Sequence, residues 1–478
     1  MLGSERLSYA ALAEAVDGFA SGLRDHGVEP GDRVAHLGAP DLAFLISFLA
    51  AGEVGAVWLG LNPRYTEREL AYVLDDARPR LVLDASKSCD ASKALRAVTE
   101  KGGWTVIDYP EMTAAGNGPG TALKHDIGAA ALVYTSGSTG RPKGALIRHE
   151  GLVHAGEVYA AQYPVERAPF VRALCNLPIN HVGCLCDVVA TAICAEGTIV
   201  FMRDFDPEGI VRTVQAEALT HVGQVPTMWR YILEAEGFEA AARTALEWAI
   251  WSGAPMPLAL AERLKAPGIK LSNCYGMTET TGSVCFTDPA APTSRITGSI
   301  GHPVEPGNLR LAMDGEPIIA PGAAGEVQVR GPWLMEGYFG DPERTDAAMD
   351  GEWFRTGDLA EREADGSLRL VGRLKEMFKS GGYNVYPREI EEVIEDHPKV
   401  AAAAVLGTPD DVYGEVGTAF VIREGEVTSA DLDAWCRERM ANYKVPKRIV
   451  VEAELPLLPI GKIDKSALRD RLATGVAA

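Results

Sequence analysis

The sequence lacks any segment that would cross a membrane and any apolar core of a signal peptide. Its most apolar region, residues 181–202, is interrupted by Asp187 and Glu196. A spanning helix needs about 20 predominantly apolar residues, which this region does not supply. The first nine residues are largely polar and do not resemble a secretory leader. We therefore expect a cytoplasmic protein without a membrane span.

Positive charge is also scarce. The 478 residues carry 46 Lys and Arg against 66 Asp and Glu, a formal net charge of −20. This balance argues against nucleic acid or an anionic membrane as a partner. The eight cysteines are scattered. Cys184 and Cys186 lie too close together for a zinc knuckle, and no second pair completes such a site, so we expect buried free thiols.

The length and the alternation of patterns predict two domains. A chain of 478 residues is too long for one ordinary core. Helical and strand patterns alternate before residue 372, as in layered α/β folds, and turns dominate residues 325–362, as in a β region. Beyond Arg373 the pattern is that of a small α+β domain. We predict an α/β fold with a large N-terminal domain of several subdomains, residues 1–372, and a small C-terminal domain, residues 373–478.

Individual elements follow from local patterns. Residues 109–127 are polar and contain Gly and Pro, which predicts a surface linker. Ser429 is predicted to cap a helix. The other predicted helices cover residues 42–51, 66–76 and 387–396, and the predicted strands cover residues 80–84, 174–181, 197–201, 220–226, 248–252, 270–274, 400–406 and 417–423.

A Gly-rich loop follows the apolar run 129–134. Residues 135–144 read Thr-Ser-Gly-Ser-Thr-Gly-Arg-Pro-Lys-Gly, which combines flexible backbone, four hydroxyls and the cation Lys143. Clustered N–H groups and hydroxyls with a compact positive charge suit phosphate oxygens. A Walker A loop is excluded, because counting from Gly137 its second Gly would fall on Pro142. The loop predicts phosphate binding by Lys143 and by six preceding residues: Thr135, Ser136, Gly137, Ser138, Thr139 and Gly140.

Further motifs carry groups that suit a nucleotide. Residues 273–280 read Asn-Cys-Tyr-Gly-Met-Thr-Glu-Thr. In this string Tyr275 offers a flat face for a purine, and Thr278 offers a hydroxyl for a phosphate. Glu279 offers a hard oxygen for Mg²⁺, which usually takes one or two carboxylates together with substrate phosphates. The remaining motifs lie at residues 353–359, 372–375, 380–391 and 459–465.

These motifs, in this order, closely resemble those of the adenylate-forming enzymes, and in particular of the acyl-CoA synthetase branch. The resemblance implies that Asn273, Tyr275 and Gly276 contact the adenine end of ATP, and that Asp358 and Arg373 bind its ribose. It implies a catalytic set of Lys462, Glu279, Thr278 and His181, with Lys462 also on ATP. The small domain would be a mobile lid that turns about a hinge at Lys375, and Gly381 and Gly382 would line the CoA channel.

The resemblance also suggests where the acid binds. The expected acyl pocket comprises His181, Gln224, Trp229, Trp251, Ser252, Gly253, Ala254, Gly276 and Met277. Peptide-synthetase domains hold the amino group of their substrate with an Asp in this region. The nearest acid here, Asp187, does not fit that pattern well, so we expect a simple carboxylic acid.

The predicted reaction is the ATP-dependent activation of a carboxylic acid as acyl-AMP with release of pyrophosphate, followed by transfer to CoA. Mg²⁺ is the expected metal, with Glu279 as its ligand. One alternative is a stand-alone adenylating enzyme that loads a carrier protein. A second is a non-catalytic acyl- or nucleotide-binding protein of the same fold. The sequence leaves open which acid is used, whether the acceptor is CoA or a separate carrier, and whether the chain forms a homodimer.

Overall fold

The computed structural model describes residues 5–86, 88–115, 128–135, 142–457 and 463–474. Within these ranges the strands form four sheets. Three sheets and most of the helices precede residue 374, and the fourth sheet begins at Phe378. This arrangement of mixed α/β sheets, with a large N-terminal part and a smaller C-terminal part, confirms the predicted fold class.

The first sheet has helices on both faces. On one face, residues of the helix Leu42–Val54 pack with Trp58. On the opposite face, the core contains residues of the helices Glu67–Ala77 and Cys89–Gly102. The remaining helices near this sheet are Tyr9–Asp25 and Tyr109–Ala115. In spatial order the strands are Gly337–Tyr338, Lys143–Arg148, Ala129–Thr135, Val57–Leu61, Arg33–Leu37, Leu81–Asp84 and Val106–Asp108.

The second sheet contains a parallel set of strands that end at one edge. In spatial order its strands are His302–Pro303, Gly282–Phe286, Lys270–Met277, Trp248–Ser252, His221–Gly223, Arg172–Cys175 and Thr198–Phe201. The last five run parallel. Four helices supply the core on one face: Pro207–Ala216, Pro226–Glu234, Phe238–Ala245 and Leu258–Lys265. The other helices of this region are His149–Gln162, the π-type helix Gly183–Ala190, Thr191–Cys194 and Thr293–Gly298.

The third sheet forms the predicted β region. Its strands are Glu316–Pro317, Leu309–Met313, Ala324–Val329, Trp353–Arg362 and Met349–Asp350, with Leu368–Arg373 paired to Trp353–Arg362. Along the chain, the helix Pro342–Ala347 directly precedes the strand Met349–Asp350. The antiparallel pairing places Asp358 opposite Arg373. Two motifs that lie fifteen residues apart in the chain therefore meet across one strand pair.

The fourth sheet is the centre of the C-terminal part. Its strands are Tyr383–Val385, Phe378–Ser380, Gly414–Arg423 and Val400–Asp410, with Arg448–Glu452 parallel to Gly414–Arg423. The helices are Pro387–Glu395, Ser429–Arg439 and Lys465–Ala473. The core contains Phe378, Ile390, Val405 and Leu432. The strands and helices alternate as the sequence predicts for an α+β domain.

Several local predictions are wrong. The predicted surface linker begins with the helix Tyr109–Ala115, whose Met112 is fully buried, and residues 116–127 lie outside the described residues. The residue that caps the helix Ser429–Arg439 is Thr428, which forms a capping box with Asp431. Thr428 precedes the predicted cap by one position, and a hydroxyl at either position satisfies the sequence pattern.

Two predicted strands end earlier than expected, and three strands are longer than expected: Lys270–Met277, Val400–Asp410 and Gly414–Arg423. The strand Arg172–Cys175 ends well before residue 181, and His221–Gly223 ends before Pro226, which starts a helix. Pro is favoured in the first turn of a helix, which explains the second boundary. The strand that begins at Lys270 continues to Met277, so it carries Tyr275 and Gly276 as well.

The described part of the chain contains no helix long and apolar enough to cross a membrane. Seven cysteines have described side chains, and all are free thiols. Six of them are buried, as expected, whereas Cys194 is exposed.

Candidate active site

The predicted phosphate loop connects two antiparallel strands of the first sheet. Thr135 ends one strand and pairs with Lys143, which begins the next. Ser136, Gly137, Ser138, Thr139 and Gly140 lie outside the described residues. The two described ends are thus held side by side, and the Lys143 side chain is mostly buried at the start of its strand.

Lys143 and Glu279 meet directly, although they come from different sheets. Lys143 Nζ lies 2.9 Å from Glu279 Oε1. The Tyr338 hydroxyl donates to the same oxygen at 2.8 Å and also contacts Lys143 Nζ. Glu279 is buried, with 6% of its surface exposed. An ion pair in such surroundings is screened little by solvent, so it fixes the two side chains relative to each other.

The backbone around Glu279 explains how a short motif presents a buried carboxylate. Thr278–Thr280 form one turn of 3-10 helix after the strand Lys270–Met277. The Thr280 hydroxyl accepts from Met277 N at 2.9 Å, and Thr281 ends the turn in the left-handed region at φ 50°. Thr278, predicted to contact phosphate, is buried beside Glu279.

A second polar cluster forms around Asp358. The Tyr275 hydroxyl donates to Asp358 Oδ2 at 2.9 Å, and Arg373 Nε lies 2.8 Å from Oδ1. Asp358 is buried, whereas the Arg373 side chain is 62% exposed. Burial and the neighbouring Asp358 carboxylate raise the pKa of Tyr275 well above its ordinary value. The predicted ribose pair is therefore assembled, and it includes the predicted purine-binding tyrosine.

Glycine is required at Gly276 because two strands approach closely there. A Cβ on Gly276 would lie 2.0 Å from the Gly282 carbonyl oxygen. No real Cβ contact is that short, so any other residue would push the strand Gly282–Phe286 away. Asn273, the other predicted adenine contact, is buried and donates from Nδ2 to the Ser299 carbonyl at 2.7 Å.

Six of the predicted acyl residues lie at the carboxyl edge of the second sheet. Gln224 follows one parallel strand, Ser252–Ala254 end or follow the next, and Gly276 and Met277 end a third. Ligands in open α/β sheets bind at this edge. His181 lies half-buried just before the helix Gly183–Ala190. Gly253 adopts φ 79° and is exposed.

The two predicted acyl tryptophans are core residues. Trp229 is fully buried, and its Nε1 donates to the Ile250 carbonyl at 3.0 Å. Trp251 is 1% exposed, and its Nε1 has no hydrogen-bond partner among the described residues. Gln224 donates from Nε2 to Asn176 Oδ1 at 2.7 Å, and its Oε1 likewise has no described partner. The contact of these side chains with an acyl group stays a prediction.

The predicted CoA and hinge residues lie on the surface. Gly381 and Gly382 are exposed and adopt φ 57° and 87°. Lys375 is exposed and follows the strand Leu368–Arg373. Lys462 lies outside the described residues. Three positions later, Lys465 Nζ contacts Glu376 at 2.6 Å and Glu391 at 2.9 Å, which ties the C-terminal helix to the segment after the hinge.

Comparison with known proteins identifies the family. The sequence profile described as AMP-binding enzyme matches residues 2–339, and that of the AMP-binding enzyme C-terminal domain matches residues 389–462. The chain belongs to the AMP-binding enzyme family. The predicted membership in the adenylate-forming enzymes, in their acyl-CoA synthetase branch, is thereby confirmed.

Relatives within the AMP-binding enzyme family match over almost the whole chain. A feruloyl-CoA synthase from Amycolatopsis sp. is 37% identical over 472 residues, covering 98% of this chain and 94% of the relative. The long-chain-fatty-acid–CoA ligase FadD13 from Mycobacterium tuberculosis is 32% identical over 482 residues, with the same coverage. O-succinylbenzoate coenzyme A synthetase from Bacillus subtilis, solved in complex with AMP, superposes with a TM-score of 0.86 at 27% identity, covering 98% and 95% of the two chains.

Sequence reasoning missed one residue of this AMP-binding enzyme's polar site. Tyr338 bridges Lys143 and Glu279, and its strand Gly337–Tyr338 pairs with the strand that follows the phosphate loop. Burial and the neighbouring Glu279 carboxylate raise the Tyr338 pKa above its ordinary value. No motif signals this tyrosine, because its role depends on a strand pairing almost two hundred residues distant in the chain.

Proposed function

We propose that the protein is an ATP-dependent acyl-CoA ligase of the AMP-forming type. A carboxylate oxygen attacks the α-phosphorus of ATP, giving acyl-AMP and pyrophosphate. The CoA thiol then attacks the acyl carbon, giving acyl-CoA and AMP. Full-length relatives that are named as CoA ligases support this activity. The observation that carries it in the structure is the assembled Tyr275–Asp358–Arg373 cluster.

We assign the binding of ATP to the two polar clusters. Asp358 accepts hydrogen bonds from the ribose hydroxyls, and Tyr275 and Arg373 hold its carboxylate in place. Lys143 supplies positive charge to the phosphates at the end of the Gly-rich loop. A preorganised cation in a site of low dielectric is a strong contributor to the stabilisation of developing charge. Lys462 is assigned the same role at the α-phosphate.

Mg²⁺ would be held by Glu279. Both described contacts of its carboxylate fall on Oε1, and a single buried carboxylate beside a phosphate-binding lysine fits an ion that takes one or two carboxylates plus substrate oxygens. When bound, Mg²⁺ would neutralise phosphate charge during displacement of pyrophosphate. Tyr338 would orient the carboxylate through its hydrogen bond to Oε1.

The second half-reaction is assigned to a rotated position of the C-terminal domain. We infer a domain boundary at residues 372–373, with a hinge at Lys375. Rotation would withdraw Lys462 and bring Gly381 and Gly382 to the acyl-AMP. The positive φ values and exposure of both glycines support this role, since a passage for pantetheine needs backbone without side chains.

Two parts of the reaction remain to be assigned: the acceptor of the acyl group and the class of carboxylic acid. We favour CoA over a carrier protein because the three relatives named above are CoA synthases, ligases or synthetases. Two of them are named for aromatic acids and one for long-chain fatty acids, so the names leave both classes as candidates. A non-catalytic role is disfavoured because the charged groups expected in an active enzyme are all present. They form two ion pairs, Lys143 with Glu279 and Asp358 with Arg373.

The test is pyrophosphate release with ATP, Mg²⁺ and a panel of aromatic, short-chain and long-chain acids, with and without CoA. An acyl-CoA ligase releases pyrophosphate in proportion to acyl-CoA formed when CoA is present. A purified carrier protein replaces CoA in a parallel set. Pyrophosphate release that CoA does not stimulate, together with acylation of the carrier, would favour the carrier-loading alternative. No release with any acid would contradict the proposal.

A further inference from the structure

Asp187 is an acidic side chain in apolar surroundings on the helix Gly183–Ala190. Its neighbours include the fully buried Tyr159 and Tyr163 and the buried thiols of Cys186 and Cys274. Among the described residues, no Lys, Arg or His forms an ion pair with it. A carboxyl group in such a place is costly unless its oxygens find hydrogen-bond partners.

One of its oxygens has none. Asp187 Oδ1 is buried and has no hydrogen-bond partner among the described residues. The residue as a whole is only half-buried. Burial raises the Asp187 pKa to about 7, and the nearby Tyr159 hydroxyl opposes this shift. The Tyr159 hydroxyl also accepts from Ser283 N at 3.1 Å, which fixes its position.

The unpartnered oxygen lies next to the strand ends that form the expected acyl pocket. A Cβ built on Gly282 would be 3.6 Å from Asp187 Oδ1, and a Cβ on Gly183 would be 3.5 Å from Oδ2. Gly282 pairs with Met277 across the sheet. A side chain at either position would contact the carboxyl group, and at Gly282 it would also lie 3.3 Å from Cys186 Cβ, so glycine keeps other side chains off these oxygens. Met277, Gly183 and Ser283 are half-buried, so accessible surface lies within a few residues of the carboxyl group.

We propose that Asp187 is a specificity-determining residue that accepts, through Oδ1, a hydrogen bond from a hydroxyl group on the acyl part of the substrate. The substrate class is thus a carboxylic acid with a hydroxyl substituent remote from its carboxyl group. This inference rests on the proposed acyl-CoA ligase function and narrows it. Asp187 acts on binding and orientation, and it takes no part in the transfer of the acyl group.

A hydroxyl group on the substrate fits these surroundings better than an amino group or an unsubstituted alkyl or aryl group. An amino group would bring a second charge into a region of aromatic rings and thiols, where desolvation is expensive. A plain alkyl or aryl group would leave Oδ1 without a partner in the complex, which costs affinity relative to a hydroxyl-bearing analogue. A hydroxyl can satisfy Oδ1 whether the carboxyl group is ionised or neutral.

The experiment compares acids in matched pairs on wild type, Asp187→Leu and Asp187→Asn. The pairs are cinnamic acid and benzoic acid, each with and without a para hydroxyl, and decanoic acid with and without a terminal hydroxyl. Pyrophosphate release gives kcat/KM for each acid, and calorimetry gives its Kd in the presence of a non-reactive ATP analogue. Leu has nearly the shape of Asp and suits the apolar surroundings, and Asn keeps a carbonyl acceptor.

The wild type is expected to prefer the hydroxylated member of at least one pair by about 10- to 100-fold in kcat/KM and Kd, the range for a hydrogen bond to a charged acceptor. Asp187→Leu should reduce this ratio to near one and retain activity on the unsubstituted acid, and Asp187→Asn should keep part of the preference. Cys184→Ala is the control. It changes a buried side chain on the same helix, which contacts Cys175 Sγ at 3.6 Å, and should leave the ratio unchanged.

Three results would overturn the inference. One is a wild type without a hydroxyl preference in any pair, by rate or by binding. Another is an Asp187→Leu variant that keeps the wild-type ratio. The third is complete loss of the preference in both the Leu and Asn variants, which would show that the preference depends on the negative charge at position 187 and that a hydrogen-bond acceptor there is not enough. In each case pyrophosphate release from the unsubstituted acids would separately report whether the ligase function stands.

Discussion

Replacement of Gly382 by Leu is the sharpest test of how the C-terminal domain takes part in catalysis. Gly382 adopts φ 87°, and a Cβ built on it meets nothing within 4 Å. A leucine side chain therefore fits sterically in the structure as it stands, and the cost is conformational. A non-glycine residue in the left-handed region costs about 1–2 kcal/mol, so the variant should fold with a modest loss of stability.

The leucine side chain at position 382 is expected to impair only the second half-reaction, for which the domain rotates to bring CoA to the acyl-AMP. Acyl-AMP formation should stay near the wild-type rate, while thioester formation falls by about 100-fold or more, because a displaced nucleophile loses that much even for small errors of position. Single-turnover pyrophosphate release measures the first half-reaction. Conversion of supplied acyl-AMP to acyl-CoA measures the second.

Gly315 provides a matched control for the strain alone. It adopts φ 84°, is exposed, and likewise has open space around its Cβ position. Gly315→Leu should lose the same stability and keep both half-reactions. The reasoning is refuted if folded Gly382→Leu makes acyl-CoA at the wild-type rate, or if both half-reactions fall together in Gly382→Leu but not in Gly315→Leu.

Three further substitutions test the assigned roles. Lys462→Ala should raise the activation free energy of acyl-AMP formation by roughly 3–4 kcal/mol. It should spare thioester formation from supplied acyl-AMP, and an equal loss of rate in both half-reactions would contradict the role assigned to Lys462. Glu279→Gln should raise the Mg²⁺ concentration for half-maximal adenylation by about tenfold or more, whereas an unchanged magnesium titration would reject it as the ligand. Asp358→Asn should raise KM for ATP by about 10- to 100-fold, the loss of a hydrogen bond to a charged acceptor. ATP that lacks both ribose hydroxyls should abolish the difference between Asp358→Asn and wild type, and a persistent difference would count against ribose binding.

The motifs could be recognised in the sequence because the functional side chains of each one lie within a few consecutive residues. The Gly-rich loop and the segment around Glu279 are local signals, and the alternation of helix and strand gave the α/β architecture. The capping residue at Thr428 was missed by one position because two adjacent hydroxyls satisfy the same pattern. The helix Tyr109–Ala115 was missed because it was read together with the Gly- and Pro-containing segment that follows it, although Glu111, Met112 and the two alanines favour a helix. Met112 is buried in the core that the first sheet shares with its helices.

Features that depend on distant contacts could not be predicted. Tyr338 reaches Glu279 only because its two-residue strand pairs with the strand that begins at Lys143. Asp187 looks like an ordinary interruption of an apolar run. Its importance becomes visible only where the helix Gly183–Ala190 brings it beside Gly282 and leaves one oxygen without a partner. Such residues have no spacing rule, because tertiary packing alone decides what they touch.

The central claim is that the acid is activated as acyl-AMP before it is transferred. The most direct measurement uses a substrate acid labelled with oxygen-18 in both carboxylate oxygens, with ATP, Mg²⁺ and CoA, followed by mass spectrometry of every phosphorus-containing product. Because a carboxylate oxygen attacks the α-phosphorus and the thiol later breaks the acyl–oxygen bond, one labelled oxygen should appear in AMP, with none in pyrophosphate. Label in free phosphate, with ADP as the nucleotide product, or AMP without label would contradict the account.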